Sequence, residues 1–193
     1  MVDAQDAQKR AIRAEIRERR QTITQSQRVT WASTLTEHLI ELVNSIGAKS
    51  VSCYLASNDE PDTDGFLVWA QHNGMKVLLP ISRDDGLLDW AEHDGSTTTS
   101  ELFNIAEPTG ERLSPLAVND VDLMLVPASA VDAQGNRLGW GRGYFDRTLG
   151  SMDARPPVFA VIFDAELLDS VPVDAHDQPV DGVVTPSRVV RFG

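Results

Sequence analysis

The chain of 193 residues contains one cysteine, Cys53. A lone cysteine excludes an intrachain disulfide and a zinc site built from several thiolates. It lies in the apolar run SVSCYL and reads as a small buried hydrophobe. No apolar run approaches the roughly 18 residues of a membrane-spanning helix, and no signal-peptide h-region follows the polar start. A cytoplasmic protein with no membrane partner is therefore the expectation. Positive charge is scarce as well: 17 Lys and Arg stand against 29 Asp and Glu, for a net charge of −12. That balance argues against a broad nucleic-acid surface, because phosphate-rich partners want basic residues in excess.

The basic residues that exist are unevenly placed. Seven fall in the first 28 positions, and Arg137, Arg142 and Arg147 share one short stretch. Two positive islands in an acidic chain point to an anion; at the N-terminus a solvated helix face is the other reading. Residues from about Ala4 to Thr22 have helical spacing, with Ile12, Ile16 and Ile23 on one side. Lys9, Arg13 and Arg17 recur every four residues on another. A second helix is expected from about Gln25 to Ile46, ended by Gly47. SVSCYLA and MKVLLPI read as strands, with a helix in TDGFLVWAQHNG between them whose N-cap is Asp62 or Thr63. LLDWAEH reads as an edge or hairpin strand. VDLMLVPA and PVFAVIF are continuous apolar runs, as expected of strands buried on both faces, and DGVVTP is a short last strand.

Such strands alternating with helices imply an α/β fold. The expected form is a largely parallel sheet with mixed edges, flanked by helices, doubly wound and Rossmann-like, with an N-terminal helical pair. No repeat or linker divides residues 1–193, so one domain is expected. The polar stretch HDGSTTTSELFNIAEPTGERLSP reads as surface loop.

The most unusual segment is RLGWGRGYFDR, Arg137 to Arg147, with glycines at 139, 141 and 143. Bare backbone can close its N–H groups on phosphate oxygens, and Arg137 and Arg142 can bind phosphate bidentately. Trp140, Tyr144 and Phe145 offer flat faces to a ring. Asp146 repels such a ligand unless a cation intervenes, and Mg²⁺ is held by one or two carboxylates plus phosphates. A tight surface turn with Asp146 in the first turn of a helix is the alternative. A P-loop needs Gly-Lys-Ser or Gly-Lys-Thr, which the chain lacks. A dinucleotide fingerprint needs its third glycine where Tyr144 stands, straight after a strand.

VPASAVDAQGNRLGWGRGYFDRTL resembles the signature of the 5-formyltetrahydrofolate cyclo-ligase (5,10-methenyltetrahydrofolate synthetase) family. Four further pieces agree in order: KRAIRAEIRERR, YLASNDEPDT, IAEP and HDQPVDGVVT. The resemblance implies ATP- and Mg²⁺-dependent cyclisation of the partner substrate 5-formyltetrahydrofolate to 5,10-methenyltetrahydrofolate, through a phosphorylated formyl intermediate. It implies that Lys9 and Arg13 reach ATP phosphates and that Arg137, Leu138, Gly139, Trp140, Gly141, Arg142, Gly143, Tyr144 and Phe145 wrap the nucleotide. Arg142 would act on the γ-phosphate, with Tyr144 at the junction of the two substrates. Leu55, Glu60 and Trp140 would form the pterin pocket, and Asp146 and Asp181 the metal site. His38 and His176 are read as structural. A monomer or weak homodimer is the expected assembly. Trp140 and Phe145 depart from the usual Tyr or Arg and second Tyr. The rival classes are a catalytically silent member acting as a nucleotide- or RNA-binding regulator, and another α/β enzyme such as a sugar-phosphate isomerase.

Overall fold

The computed structural model describes residues 4–193. Helices α1 (Ala4–Gln21) and α2 (Gln25–Ile46) form the expected pair. The Thr24 hydroxyl accepts from the Gln27 amide, and the Gln27 side chain accepts from the Thr24 amide, so α2 begins with a reciprocal cap. It ends where Gly47 turns left-handed at φ 72° and donates to Asn44 O, a conformation that suits glycine. Strand β1 (Ser50–Ser52), helix α3 (Asp64–His72), β2 (Lys76–Ser82) and β3 (Leu88–Glu92) follow. A hairpin of β4 (Thr97–Thr99) and β5 (Ala106–Pro108) precedes β6 (Leu123–Pro127), β7 (Ala130–Asp132) and β8 (Arg137–Leu138). Helix α4 (Tyr144–Gly150), β9 (Val158–Val161), β10 (Leu167–Leu168), β11 (Gly182–Val184) and β12 (Val189–Arg191) complete the chain. Among the described residues no helix is long and apolar enough to cross a membrane.

The main sheet has the order β12-β11-β9-β6-β1-β2-β3. Its five inner strands are parallel, and the edge strands β3 and β12 run antiparallel. From β1 the chain builds outward first through β2 and later through β6, so the winding reverses between β1 and β6. The expected apolar runs alternate their side chains between two cores. Leu123, Leu125, Phe159 and Val161 join α2 and α3 on one face, while Met124, Val126, Val158 and Ala160 pack with Leu149 of α4 on the other. Cys53 is fully buried in the first core, and burial pushes its thiol up to about 12, which fits the inert reading.

Several local expectations need correction. DGVVTP supplies β11 but is not the last strand, because β12 folds back antiparallel on it. The polar stretch is not plain loop: it holds the β4–β5 hairpin, and its buried Glu107 accepts from the Ser82 amide at 2.9 Å. Thr63 precedes α3 but makes no side-chain cap there. Its hydroxyl donates instead to Tyr54 O at 2.7 Å. Helix α1 does not separate a basic face from an apolar one. Lys9, Ile16 and Arg20 are all buried, so two of its basic residues share the side that packs inward.

Gly182 exposes how closely β11 is held. A β-carbon there would stand 2.3 Å from both Phe159 Cε1 and Val190 O. Gly182→Ala should lower stability by roughly 1–3 kcal/mol, the range of an overpacked core, measured by denaturant unfolding.

Candidate active site

Strand β1 stops at Ser52 while β2 runs on to Ser82, leaving a gap at the carboxyl end of the sheet. Pro80 in that continuation has no N–H to donate, and Trp90 opposite it pairs on its other side with Leu113. A cavity of about 620 Å³ opens here, at the winding reversal where ligands bind α/β sheets. Its walls are the segment 54–60 after β1, Pro127 at the end of β6, and the glycine loop.

A small three-stranded sheet, β10-β7-β8, fixes that loop from below. Asp132 caps the β7–β8 turn by accepting from the amides of Gln134 and Asn136, each at 3.0 Å, and from Val171 N. Ser129 N and Oγ both donate to Leu138 O at 2.8 Å. Buried Arg137 then donates to Pro127 O at 3.0 Å and to Asp146 Oδ1 at 2.8 Å. The same carboxylate oxygen accepts from Gln178 N at 3.2 Å. Both of these bonds fall on Oδ1, which leaves Oδ2 as the oxygen with which Asp146 can meet a cation.

The glycines serve the arginines. A β-carbon at Gly139 would stand 2.9 Å from Arg137 Nη1, and one at Gly143 2.9 Å from Arg147 Nη1. Gly141 packs against the guanidinium of Arg13 and has φ +97°, and Gly143 has φ +70°; both values lie in the region that favours glycine. Arg13 Nε donates to Gly139 O at 2.7 Å, so α1 is tied directly to the loop. Burial, together with the neighbouring charge of Arg17, lowers the Arg13 guanidinium from its ordinary value.

The remaining walls are flat rings and one acid. Trp140 lies 5.2 Å from the Arg17 guanidinium and 4.9 Å from that of Arg20. Arg142 stacks 3.5 Å from the centre of the Phe103 ring. Tyr144 meets Phe103 edge-on and donates its hydroxyl to Arg83 O at 2.6 Å. Glu60 Oε2 accepts from Ser57 N at 2.9 Å and from its hydroxyl at 3.0 Å, which holds the carboxylate at the cavity wall. The site thus offers positive charge, an anionic acceptor and aromatic faces within one cavity.

The sequence pattern of the 5-formyltetrahydrofolate cyclo-ligase family matches residues 5–186. The chain belongs to that family. Relatives named 5-formyltetrahydrofolate cyclo-ligase include one from Mycolicibacterium smegmatis, 35% identical over 74% of this chain and 76% of its own length. Another, from Mus musculus, is 28% identical over 91% and 92%. The solved structure of 5,10-methenyltetrahydrofolate synthetase from Aquifex aeolicus is 27% identical, with a TM-score of 0.79 over 95% of this chain and 92% of that one. The Mycoplasma pneumoniae synthetase, 18% identical at TM-score 0.73, shares the fold. The cyclo-ligase family is a family of ligases, and the α/β fold expected from the sequence is the one observed.

Of the residues singled out by the cyclo-ligase resemblance, Leu55, Glu60, Arg137 and Gly139 line the cavity. So do Trp140, Arg142, Gly143, Tyr144, Phe145 and Asp146. Leu138 is buried beneath it in a small core with Ala130 and Val171, and Gly141 faces Arg13 on the outer side. Asp181 is not brought to Asp146. It precedes β11, at the amino end of a parallel strand, where Oδ2 accepts from Val158 N at 2.8 Å and Oδ1 faces Arg155 at 3.5 Å. Lys9 is away from the cavity wall and is held by Asp174 at 2.6 Å and by Asp177. His176 joins those two acids in one cluster and is itself exposed. Sequence reasoning missed Arg20, Tyr54 and Phe103, all cavity-lining. The signal for Arg20 was its place one turn beyond Ile16 on the inward side of α1.

Burial pulls the Lys9 ammonium down, but the hydrogen bonds and charges of Asp174 and Asp177 outweigh it and hold it above its ordinary value. Burial likewise raises the Asp177 carboxyl, yet the Asp174 amide and Lys9 leave it lowered overall. A lowered carboxyl stabilises the fold above its unfolded pKa, and that contribution disappears as pH falls through the folded value. Asp177→Asn should therefore lower stability by about 1 kcal/mol near neutral pH, allowing for partial screening. In thermal melts the deficit should vanish toward about pH 3.

Proposed function

We propose that the chain catalyses the ATP- and Mg²⁺-dependent conversion of 5-formyltetrahydrofolate to 5,10-methenyltetrahydrofolate, releasing ADP and phosphate. One observation carries the reading. A single cavity is lined both by Glu60 and Leu55 and by the arginine–glycine loop with Asp146. A flat folate ring and a triphosphate can therefore lie in contact within one space.

In this reading the formyl oxygen attacks the γ-phosphorus and ADP departs, leaving a phosphorylated formyl carbon on N5. N10 attacks that carbon and loses its proton, and phosphate leaves with the former formyl oxygen. The substrate supplies both nucleophiles, so the chain needs no Ser, Cys or His for covalent catalysis. The protein positions the reactants and stabilises charge on the moving phosphoryl group. Arg142 is the cavity-lining guanidinium that stacks on Phe103 rather than pairing with a carboxylate, so it suits the transferred group. Arg137 is committed to Asp146 and holds that acid in place. Asp146 fits Mg²⁺ through Oδ2, and one carboxylate with phosphate oxygens is a normal Mg²⁺ environment. When bound, Mg²⁺ would neutralise phosphate charge beside Asp146. Asp181 belongs to no part of this proposal. Arg13 flanks the loop from α1, whereas Lys9 reaches a phosphate only by leaving Asp174 and Asp177. Tyr144 and Trp140 supply the ring faces. Glu60 would accept from the amino and ring N–H groups of the pterin.

The direct test mixes the protein with 5-formyltetrahydrofolate, ATP and Mg²⁺ at mildly acidic pH and follows the near-ultraviolet absorbance of the methenyl product. Absence of ATP-dependent product at every enzyme concentration would overturn the assignment. Asp146→Asn should raise the Mg²⁺ concentration for half-maximal rate about 10- to 100-fold, the usual penalty for disturbing a metal site, and an unchanged magnesium titration would refute that role. Glu60→Gln should raise KM for the folate about tenfold or more, the worth of a charged hydrogen bond, while leaving KM for ATP nearly unchanged.

A further inference from the structure

Eight buried side-chain nitrogen or oxygen atoms among the described residues have no hydrogen-bonding partner in the protein, and four of them belong to residues lining the cavity described above. These are Arg20 Nη1, Tyr54 Oη, Arg137 Nε and Trp140 Nε1. A buried polar group without a partner is destabilising, so such a concentration marks where a ligand supplies the missing partners. Arg137 is paired with Asp146. Tyr54 begins the segment that carries Glu60, and Arg20, whose guanidinium reaches Ala128 O and the Trp140 ring, lines the same cavity with both.

The chemistry of the Arg20–Tyr54 pair is specific. Arg20 is 1% exposed, and Glu166 takes two of its hydrogen bonds, at 2.6 and 2.8 Å, so its charge is already neutralised. Its Nη2 also donates to Ala128 O at 3.1 Å, which leaves Nη1. Tyr54 is 4% exposed, and its hydroxyl is a neutral donor. A pair of donors with no net charge suits a neutral oxygen rather than a phosphate or carboxylate. Glu60 nearby presents the opposite character, an anionic acceptor. An acceptor beside two donors complements a heterocycle edge that carries amino and N–H groups next to a ring carbonyl. The 2-amino-4-oxo edge of a pterin has that pattern.

We propose that Arg20 Nη1 and Tyr54 Oη bind the ring carbonyl oxygen of the folate substrate, and so distinguish an oxo from an amino group at that position. The inference rests on the folate reading above. Both atoms are shielded from solvent in this structure, and the Trp140 ring stacks on Arg20. For the substrate oxygen to reach them, the Trp140 ring that covers Arg20 must turn from this position as the substrate ring enters.

Tyr54→Phe tests this cleanly, since it removes only an unpartnered hydroxyl and should leave the melting temperature unchanged or raised. Binding of 5-formyltetrahydrofolate and of its 4-amino-4-deoxy counterpart is measured calorimetrically for both proteins. The substitution should weaken the oxo ligand roughly 3- to 10-fold, the worth of one hydrogen bond, and leave the amino ligand unchanged or tighter. Equal effects on the two ligands, or none on either, overturn the subsite. If the unsubstituted protein binds neither ligand, the folate reading falls and the subsite with it. Binding of 5-formyltetrahydrofolate by the unsubstituted protein together with an unmoved preference in the variant removes the subsite alone.

Discussion

The buried guanidinium of Arg20 is the joint on which the site depends. It bonds both oxygens of Glu166, reaches Ala128 O, and lies 4.9 Å from the Trp140 ring centre and 5.4 Å from that of Phe163. Glu166 in turn accepts from Phe163 N at 2.9 Å. One side chain of α1 thus connects the segment after β6, the segment after β9 and the glycine loop. Both partners are 1% exposed, and burial holds the Glu166 carboxyl above its ordinary value even against Arg20. Desolvation offsets much of the attraction in such a pair, so its contribution is orientation more than net stability. Only a planar fork can serve several acceptors in fixed directions while also stacking on rings.

The sheet supplies the complementary constraint. Because β1 stops at Ser52, the strands on either side of it carry on past an opening at their carboxyl ends. Pro80 can stand in that continuation because no strand beside it asks for its missing N–H. The antiparallel edges β3 and β12 close the sheet laterally, so the opening at the winding reversal stays the place where loops from both halves meet. Segment 54–60 comes from one half and the glycine loop from the other, and a cavity with two chemically different walls follows from that topology.

Elements set by local pattern were legible in the sequence: both N-terminal helices, the Gly47 stop and the strands buried on two faces. Local periodicity and a glycine end signal suffice for those. Pairings between distant positions were not. Lys9 reads in sequence as an ATP phosphate contact or a solvated helix charge, and only the fold brings Asp174 and Asp177 beside it. Asp181 looks like a site acid in sequence because HDQPVDGVVT resembles the closing motif of the family. Hydrogen bonding to Val158 N nevertheless places it at the amino end of the sheet. β12 is three residues long, and β4 is fully exposed, so neither carries enough hydrophobic alternation to announce itself. Tyr54 and Arg20 were hidden for the same reason. Their importance lies in which hydrogen bonds they lack, and only a packed interior decides that.

The glycine loop shows how an acidic chain gathers positive charge at one point. Three arginines around it are held by oxygen atoms of the chain itself: Arg13 by Gly139 O, Arg137 by Pro127 O and Asp146, Arg147 by Gly86 O and Arg142 O. These carbonyls are reachable because Gly139, Gly141 and Gly143 carry no side chain to keep the guanidinium groups away. Neutral carbonyl oxygens orient an arginine without cancelling its charge, whereas a carboxylate does cancel it. Arg13 and Arg147 therefore keep their field at the loop, and Arg142 stacks on a ring instead of pairing with an acid. The backbone entropy lost in ordering three glycines is offset by these contacts. The spacing of the glycines is thus a packing requirement of the arginines, and the anion-seeking character of the site is its consequence.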